Sequence, residues 1–162
     1  MDQISDEHLE LLVFALAGIR YALELRFVRE VLPAVLISPL PEAPAVIEGL
    51  IDVRGQLVPV YDLRLRFGLP ARPLDPGERL VLAWTGSRVV SFRCECTEWV
   101  EHVPRSRIEA PDAVRGASRH IAGVARLADG VVLIQDLDEF LDEAESAELD
   151  AALSGRTERA AE

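Results

Sequence analysis

The chain has 162 residues and a formal net charge of −11 at pH 7, and its length suits one domain or two small lobes with a sizeable core. Nucleic acid and anionic membrane surfaces carry charge of the same sign, so this composition disfavours both as partners. No apolar run approaches the roughly 18 residues of a membrane span, and the first eight residues are polar and acidic, unlike a secretory signal. We therefore expect a cytoplasmic protein with no nucleic-acid partner and no direct membrane insertion.

Short strand candidates separated by turn residues run through most of the chain, a pattern typical of small all-β folds. After an acidic tail over residues 1–10, the first five candidates cover residues 11–16, 20–25, 35–38, 47–53 and 57–61. The next five cover residues 80–84, 89–96, 107–109, 121–127 and 131–135. The C-terminal part instead predicts a helix over residues 138–153, capped by Asp138 and ended by Gly155, with a disordered tail over residues 154–162.

The most informative stretch runs from residue 47 to residue 68. Two apolar strand candidates flank Arg54-Gly55, where glycine supplies the positive φ that a tight hairpin turn needs. Asp62 then predicts the start of a short helix, because its carboxylate can accept hydrogen bonds from the free N–H groups of the first turn. The stretch therefore predicts an arginine presented at a rigid hairpin tip, which is a favourable position for recognition.

The same sequence units occur twice, in the same order. Residues between 47 and 63 recur in similar form 74 positions later, and residues between 24 and 37 recur 71 positions later. Polar as well as apolar positions match, and self-similarity of this kind predicts two structurally alike lobes. The first members of the matching pairs are Glu24, Glu30, Pro33, Ile37, Ile47, Gly49, Leu50, Leu57, Val58, Asp62 and Leu63.

Two segments of the central stretch read Gly-Leu-Ile-Asp-Val-Arg-Gly from residue 49 and Val-Pro-Val-Tyr-Asp-Leu-Arg from residue 58. Together they resemble the central signature of CheW-type chemotaxis coupling proteins, and the likeness covers roughly residues 11 to 141. The resemblance implies an all-β fold of two intertwined five-stranded SH3-like barrels with a C-terminal helix. The first lobe is then expected over about residues 11–70 and the second over about residues 79–137.

The resemblance also implies a function. CheW-type proteins are adaptors without catalytic activity or cofactor, and they bridge chemoreceptors and a histidine kinase. We therefore expect as partners the tip of a methyl-accepting chemoreceptor, the regulatory domain of a CheA-type histidine kinase, and other CheW-like domains. One lobe is expected to meet the kinase, and the groove between the lobes to meet the receptor helix.

Particular residues match family positions in or near partner contacts. The partner-binding residues implied in this way are Val28, Glu30, Asp52, Arg54 and Gly55. Gly49 and Gly55 are further expected to serve the backbone as turn glycines. In the family signature an Asn usually stands where this chain has Asp52. Because residues 52 and 54 share one face of a strand, we expect Asp52 to pair with Arg54 in the free protein.

Catalysis and metal binding find little support in the sequence. The chain has no phosphate-binding Gly-x-x-x-x-Gly-Lys-Ser/Thr loop and no Gly-x-Ser-x-Gly elbow, and its three histidines lie far apart. Cys94 and Cys96 are expected to share one strand face as small buried hydrophobes, reduced and not bound to metal. We therefore predict no catalytic residue and no metal ligand.

Two other interpretations stay open. The chain could be a divergent CheW-like scaffold that serves another receptor–kinase pathway, or that binds a receptor but no kinase. It could also be a small-molecule-binding barrel or an enzyme that uses the groove between the lobes. A deep polar pocket with converging side chains would favour the second alternative.

Overall fold

A computed structural model describes residues 7–113 and 120–161 of the chain. Within these ranges it contains eleven strands, three short 3-10 turns and two α-helices. The short helix α1 is Leu63–Arg66, and the long helix α2 is Glu143–Ala161. The strands are β1 His8–Leu16, β2 Ile19–Glu24, β3 Val28–Pro33, β4 Ile47–Val53, β5 Gln56–Tyr61, β6 Arg79–Trp84, β7 Val89–Cys94, β8 Cys96–Pro104, β9 Ile108–Glu109, β10 Ile121–Leu127 and β11 Gly130–Gln135.

The strands form two sheets, and each sheet includes a hairpin from the other half of the chain. Sheet A has the order β8-β1-β2-β11-β10-β9, and sheet B has the order β3-β6-β7-β5-β4. Each sheet therefore contains one hairpin from the opposite half of the chain, β1–β2 in sheet A and β6–β7 in sheet B. The all-β class and the intertwining are confirmed. The predicted barrels need correction, because both sheets are open and sheet A has six strands. The expected lobes, residues 11–70 and 79–137, correspond to the two copies of the sequence repeat. Each sheet, by contrast, contains strands from both copies.

The sequence repeat is visible in the backbone. Hairpins β4–β5 and β10–β11 are both antiparallel, and each has a register shift just after its first residue. Both are followed by the same hydrogen bond, in which an aspartate N–H donates to the residue before the hairpin. The distance is 2.7 Å from Asp62 N to Val46 O, and also 2.7 Å from Asp136 N to His120 O. Residues 74 positions apart thus occupy equivalent places.

A row of aromatic rings joins the two sheets through the main core. The ring centroids of Phe14 in β1 and Phe92 in β7 lie 4.9 Å apart, which connects sheet A to sheet B. Aromatic ring pairs typically contribute about 0.5–1.5 kcal/mol beyond the area they bury. The row continues through both helical regions, in the order Phe92, Phe14, Tyr21, Phe67, His120, Phe140 and Tyr61. The sheets therefore share the main core.

Helix α2 differs from its prediction at both ends. Asp142, and not Asp138, caps it: Glu145 N donates to Asp142 Oδ1 at 2.7 Å, and Asp142 N donates to Glu145 Oε1 at 3.0 Å. This reciprocal pair is a capping box, which satisfies two otherwise free donors and fixes the start at Glu143. The helix continues through Gly155, since one interior glycine costs only about 1 kcal/mol. The predicted helix end at Gly155 and the predicted disordered tail are therefore wrong as far as residue 161.

No helix in the described part of the chain is long and apolar enough to cross a membrane.

The predictions for the N-terminus and the cysteines are met only in part. Strand β1 begins at His8, so residues 8–10 are not part of a tail, and residues 1–6 lie outside the described residues. Cys94 is buried, but Cys96 is exposed. The shared strand face is wrong because the chain bends at residue 95, where it passes from sheet B to sheet A. Burial raises the pKa of the Cys94 thiol to about 12.

Candidate functional site

The tip of hairpin β4–β5 is a two-residue turn with a defined geometry. Arg54 and Gly55 have φ values of 52° and 89°, and positive φ at both central residues is the hairpin turn that matches strand twist. Asp52 Oδ1 accepts a hydrogen bond from the backbone N–H of Gly55 at 2.7 Å. The predicted Asp52–Arg54 pair is therefore wrong, because the Asp52 carboxylate is used to hold the turn.

Arg54 pairs instead with Glu30 on strand β3. Its Nη2 lies 2.6 Å from Glu30 Oε2, and its Nη1 lies 3.2 Å from Glu30 Oε1, so the contact is bidentate. The pair, called the Arg54–Glu30 pair below, connects the tip of β4–β5 to β3, the strand at the opposite end of the sheet B order. The hydrogen bond from Arg54 holds the pKa of Glu30 below its ordinary value. The Arg54 side chain is 71 % exposed and that of Glu30 34 % exposed, so both can meet a partner.

An exposed leucine on the same hairpin was missed by the sequence argument. Leu57 lies opposite Asp52 in the β4–β5 ladder and is 48 % exposed. The sequence could have indicated this exposure, because Leu57 faces the charged Asp52 across a hairpin with a two-residue turn. Residues paired in this way lie on the same face of the sheet. Val28, by contrast, begins β3 and packs partly buried against the main core. The structure thus brings Glu30, Asp52, Arg54 and Gly55 together.

Gly49 lies inside strand β4 and not in a turn, which corrects its predicted position. Its φ is 156°, and a Cβ built there would lie 2.1 Å from the carbonyl oxygen of Ser38. Ser38 and Leu50 exchange two backbone hydrogen bonds at this point, of 2.7 and 2.8 Å. Only glycine lets the two backbones approach so closely. Gly49 therefore holds the segment before β4 against the strand that leads to the turn at Arg54.

A largely buried ion-pair cluster also supports strand β4. Arg93 Nε lies 2.9 Å from Glu48 Oε1, and Arg93 Nη1 lies 3.0 Å from Glu78 Oε1. Burial raises the pKa of Glu48, and the hydrogen bonds from Arg93 oppose that rise. Removing one member of such a cluster leaves an uncompensated buried charge, typically at a cost of about 3–5 kcal/mol. The cluster fixes β4 to β7, and β4 carries the tip.

Within residues 7–113 and 120–161, no group of three or more His, Cys, Asp or Glu side chains is placed to hold a metal ion. The best-defined chemistry on the described surface is the Arg54–Glu30 pair, a planar fork of donors ordered by a carboxylate on a rigid tip. Such a fork is suited to carboxylates on another macromolecule. Fold and site together define a duplicated all-β interaction module.

Comparisons with known proteins identify this module. The sequence model of the CheW-like domain matches residues 10–145. The chain is 26 % identical to the chemotaxis protein CheW of Klebsiella aerogenes over 143 residues, covering 87 % of this chain and 86 % of the relative. It is 30 % identical to protein FrzA of Myxococcus xanthus over 118 residues, covering 72 % and 74 %. The crystal structure of the scaffolding protein TtCheW from Thermoanaerobacter tengcongensis matches with a TM-score of 0.77 and 28 % identity, covering 85 % of this chain and 94 % of that one.

The chain belongs to the CheW-like domain family. Its function is that of a chemotaxis signal-transduction adaptor.

Proposed function

We propose that this adaptor works in the cytoplasm without catalysing a reaction, and joins the tip of a methyl-accepting chemoreceptor to the regulatory domain of a CheA-type histidine kinase. The family membership supports the type of partner. The observation that carries the site is the Arg54–Glu30 pair, which is exposed and yet held in a bidentate geometry. A group that is ordered before binding loses little conformational entropy when a partner docks.

The chemistry of the surface defines what the partner offers. The outer N–H groups of Arg54 suit a partner carboxylate, and Glu30 suits a partner cation beside it. Leu57, exposed and opposite Asp52 on the same hairpin, adds an apolar contact. Asp52 and Gly55 act by fixing the turn, and Val28 acts by anchoring β3 in the core. The partner surface therefore carries a carboxylate and a cation around a small apolar area.

The adaptor transmits a signal by holding both partners at once. One lobe meets the kinase, and the groove between the lobes meets the receptor helix. Other CheW-like domains can use the same surface as the kinase regulatory domain, which shares their fold. A receptor state that favours one arrangement of the complex then biases the kinase, with a coupling of typically about 1–3 kcal/mol.

Calorimetry with the purified receptor tip and kinase regulatory domain tests the site. Arg54→Glu is expected to weaken at least one partner by about 2 kcal/mol, as for a central arginine anchor. Arg54→Gln removes the cation without adding repulsion from Glu30, and it should weaken the same partner. Arg126→Glu is the matched control, since Arg126 pairs with Glu109 at 2.7 Å with side chains 63 % and 39 % exposed.

Each outcome of this test has a meaning. Loss of binding by both Arg54 variants, with the Arg126 variant unchanged, supports the assigned surface. Parent protein that binds the receptor tip but no kinase domain is a receptor-only binder. Parent protein that binds neither, but captures another receptor–kinase pair, is a divergent scaffold. Binding unaffected by either Arg54 variant shows that the site lies elsewhere.

A further inference from the structure

The carboxylate of Glu95 joins the two sheets at the point where the chain crosses between them. Glu95 is the single residue between β7, the central strand of sheet B, and β8, an edge strand of sheet A. Its backbone N–H donates to Ala15 O at 2.9 Å. Its side-chain Oε1 accepts a hydrogen bond from Ala17 N at 2.5 Å and another from Arg64 Nη2 at 2.8 Å. We call the contact of Glu95 with Ala17 and Arg64 the Glu95 clamp.

The clamp connects parts of the chain that are distant in sequence. Ala17 lies in the turn of the β1–β2 hairpin of sheet A, 78 residues before Glu95. Arg64 lies in α1, which directly follows β5 of sheet B. Arg72, in the segment between the two copies of the repeat, adds an ion pair in which Nη1 is 3.6 Å from Glu95 Oε1. One carboxylate oxygen therefore ties sheet A, sheet B and the connecting segment together.

The clamp has the physical properties of a contact that fixes an angle. The side chains of Arg64 and Glu95 are 7 % and 28 % exposed, so solvent ions screen this pair less than a fully exposed one. Apolar packing, such as that of Phe14 on Phe92, is non-directional, so it holds the sheets together without selecting their orientation. Hydrogen bonds to a charged group are short and strongly directional. The clamp therefore adds the directional contact that the core lacks.

The sequence repeat separates the clamp from the fold of the repeated unit. The residue equivalent to Glu95 is Glu24, 71 positions earlier, and the residue equivalent to Arg64 is Asp138, 74 positions later. Two carboxylates cannot form such a pair, and Glu24 instead accepts a hydrogen bond from Arg26 Nε at 3.1 Å. The repeated unit therefore occurs in a form without the clamp. This leaves the junction between the sheets as the place where the clamp acts.

We infer that Glu95 is a positioning residue that fixes the angle between the two sheets and thereby aligns the surfaces that the partners use. The part about partners rests on the proposed function. A receptor helix in the groove between the lobes contacts both sheets, whereas the Arg54–Glu30 pair lies on sheet B alone. Loss of the clamp therefore weakens the receptor tip and spares the kinase regulatory domain, which meets one lobe.

Residual dipolar couplings of the backbone amides in β1 and β2, and in β5 to β7, test the angle without any partner. Glu95→Gln keeps the size of the side chain and removes the charge that holds Arg64. Glu24→Gln is the matched control, because it removes the equivalent charge outside the clamp. We expect the couplings of the parent and the control to fit one shared orientation of the sheets. Those of Glu95→Gln should require a changed orientation, or unequal order for the two sheets.

A double variant keeps the test decisive if Glu95→Gln does not fold. Arg64→Met combined with Glu95→Gln removes both charges of the clamp and leaves no uncompensated arginine, and it should show the same change in the couplings. Unchanged couplings in the folded variants would overturn the inference, even if the melting temperature falls, because the clamp would then be a local contact only.

Calorimetry with the receptor tip and the kinase regulatory domain tests the alignment of the partner surfaces. Glu95→Gln should bind the receptor tip at least about fivefold more weakly, the lower end of typical coupling between linked sites, with unchanged affinity for the kinase domain. Changed couplings with unchanged receptor affinity would overturn the alignment. If the parent protein binds no receptor tip, the proposed function fails, while the couplings still decide whether Glu95 fixes the angle.

Discussion

Arg54 and Glu30 lie 24 residues apart in sequence and form a bidentate ion pair in which Nη2 and Oε2 are 2.6 Å apart. The pair places the arginine fork in one orientation above the hairpin tip. Glu30→Gln keeps a hydrogen-bond acceptor but removes the charge that orients Arg54. We expect partner affinity to fall several-fold while the melting temperature changes by less than about 2 °C, because exposed ion pairs add little stability. Calorimetry and thermal unfolding measure the two quantities, and unchanged affinity would remove Glu30 from the site.

Two substitutions of Asp52 separate the role of its side chain in the turn from the role of its charge. Asp52→Asn keeps an oxygen that can accept from the Gly55 N–H, so the turn and partner binding should both persist. Asp52→Ala removes the acceptor and should lower the free energy of unfolding by about 1 kcal/mol, as for other side-chain caps. Urea unfolding of the two variants gives the comparison. A large loss of partner affinity with Asn would mean that the Asp52 charge contacts the partner.

Two equivalent glycines should respond very differently to alanine. At Gly49 the added Cβ would lie 2.1 Å from Ser38 O, whereas at Gly123, 74 positions later, it would lie 3.2 Å from Glu109 O. Gly49→Ala should cost about 3 kcal/mol or more, and Gly123→Ala about 1 kcal/mol. Chemical denaturation of both variants tests the order. Equal costs would show that β4 can shift away from Ser38 at little expense.

The contribution of Glu48 to the free energy of unfolding should depend on pH, and the direction of that dependence can be predicted. Because burial raises the pKa of Glu48, the folded protein binds a proton there more tightly than the unfolded chain does. Wild-type stability relative to Glu48→Gln should therefore fall as pH rises from the ordinary glutamate pKa of about 4.5 through the raised value, and then level off. Arg93 keeps Glu78 as a partner in the variant. Urea unfolding at pH 4, 5.5 and 7.5 measures the difference, and the opposite slope would show that the ion pair outweighs burial.

The two thiols should differ in reactivity. Cys94 is buried with its pKa raised to about 12, so its reactive thiolate is scarce near neutral pH. Cys96 is exposed. A colorimetric disulfide reagent at pH 7.5 should titrate one thiol in the folded protein and two in denaturant. Cys96→Ser should leave none in the folded state, and any rapid reaction of that variant would contradict the burial of Cys94.

Local chemistry was readable from the sequence wherever one residue decides it. The turn at Arg54-Gly55 was predicted because glycine adopts positive φ at little cost, and the Asp62 cap of α1 because a carboxylate can accept from the free N–H groups of the first turn. The start of α2 was missed because Asp138 and Asp142 look alike as caps until the reciprocal Glu145 contact is seen.

Contacts over long sequence distances could not be predicted. Nothing in the local pattern tells whether Arg54 meets Asp52, two residues away, or Glu30 on another strand. The exposure of Cys96 likewise depends on the bend between the sheets. Internal similarity predicted two alike units, but it could not show that the units exchange hairpins, since exchanged and unexchanged pairings bury the same apolar residues.

The exchange of hairpins determines when the chain can fold. Leu11 pairs with Glu101, and Tyr21 pairs with Leu133, so during synthesis β1 and β2 wait for partners made about 90 to 110 residues later. Strands β3 to β5 likewise wait for β6 and β7 before sheet B is complete. Pairings so distant along the chain slow folding and leave strand edges open in the nascent protein. The two copies of the repeated unit must therefore be synthesised together, and a chain cut at the midpoint leaves two incomplete sheets.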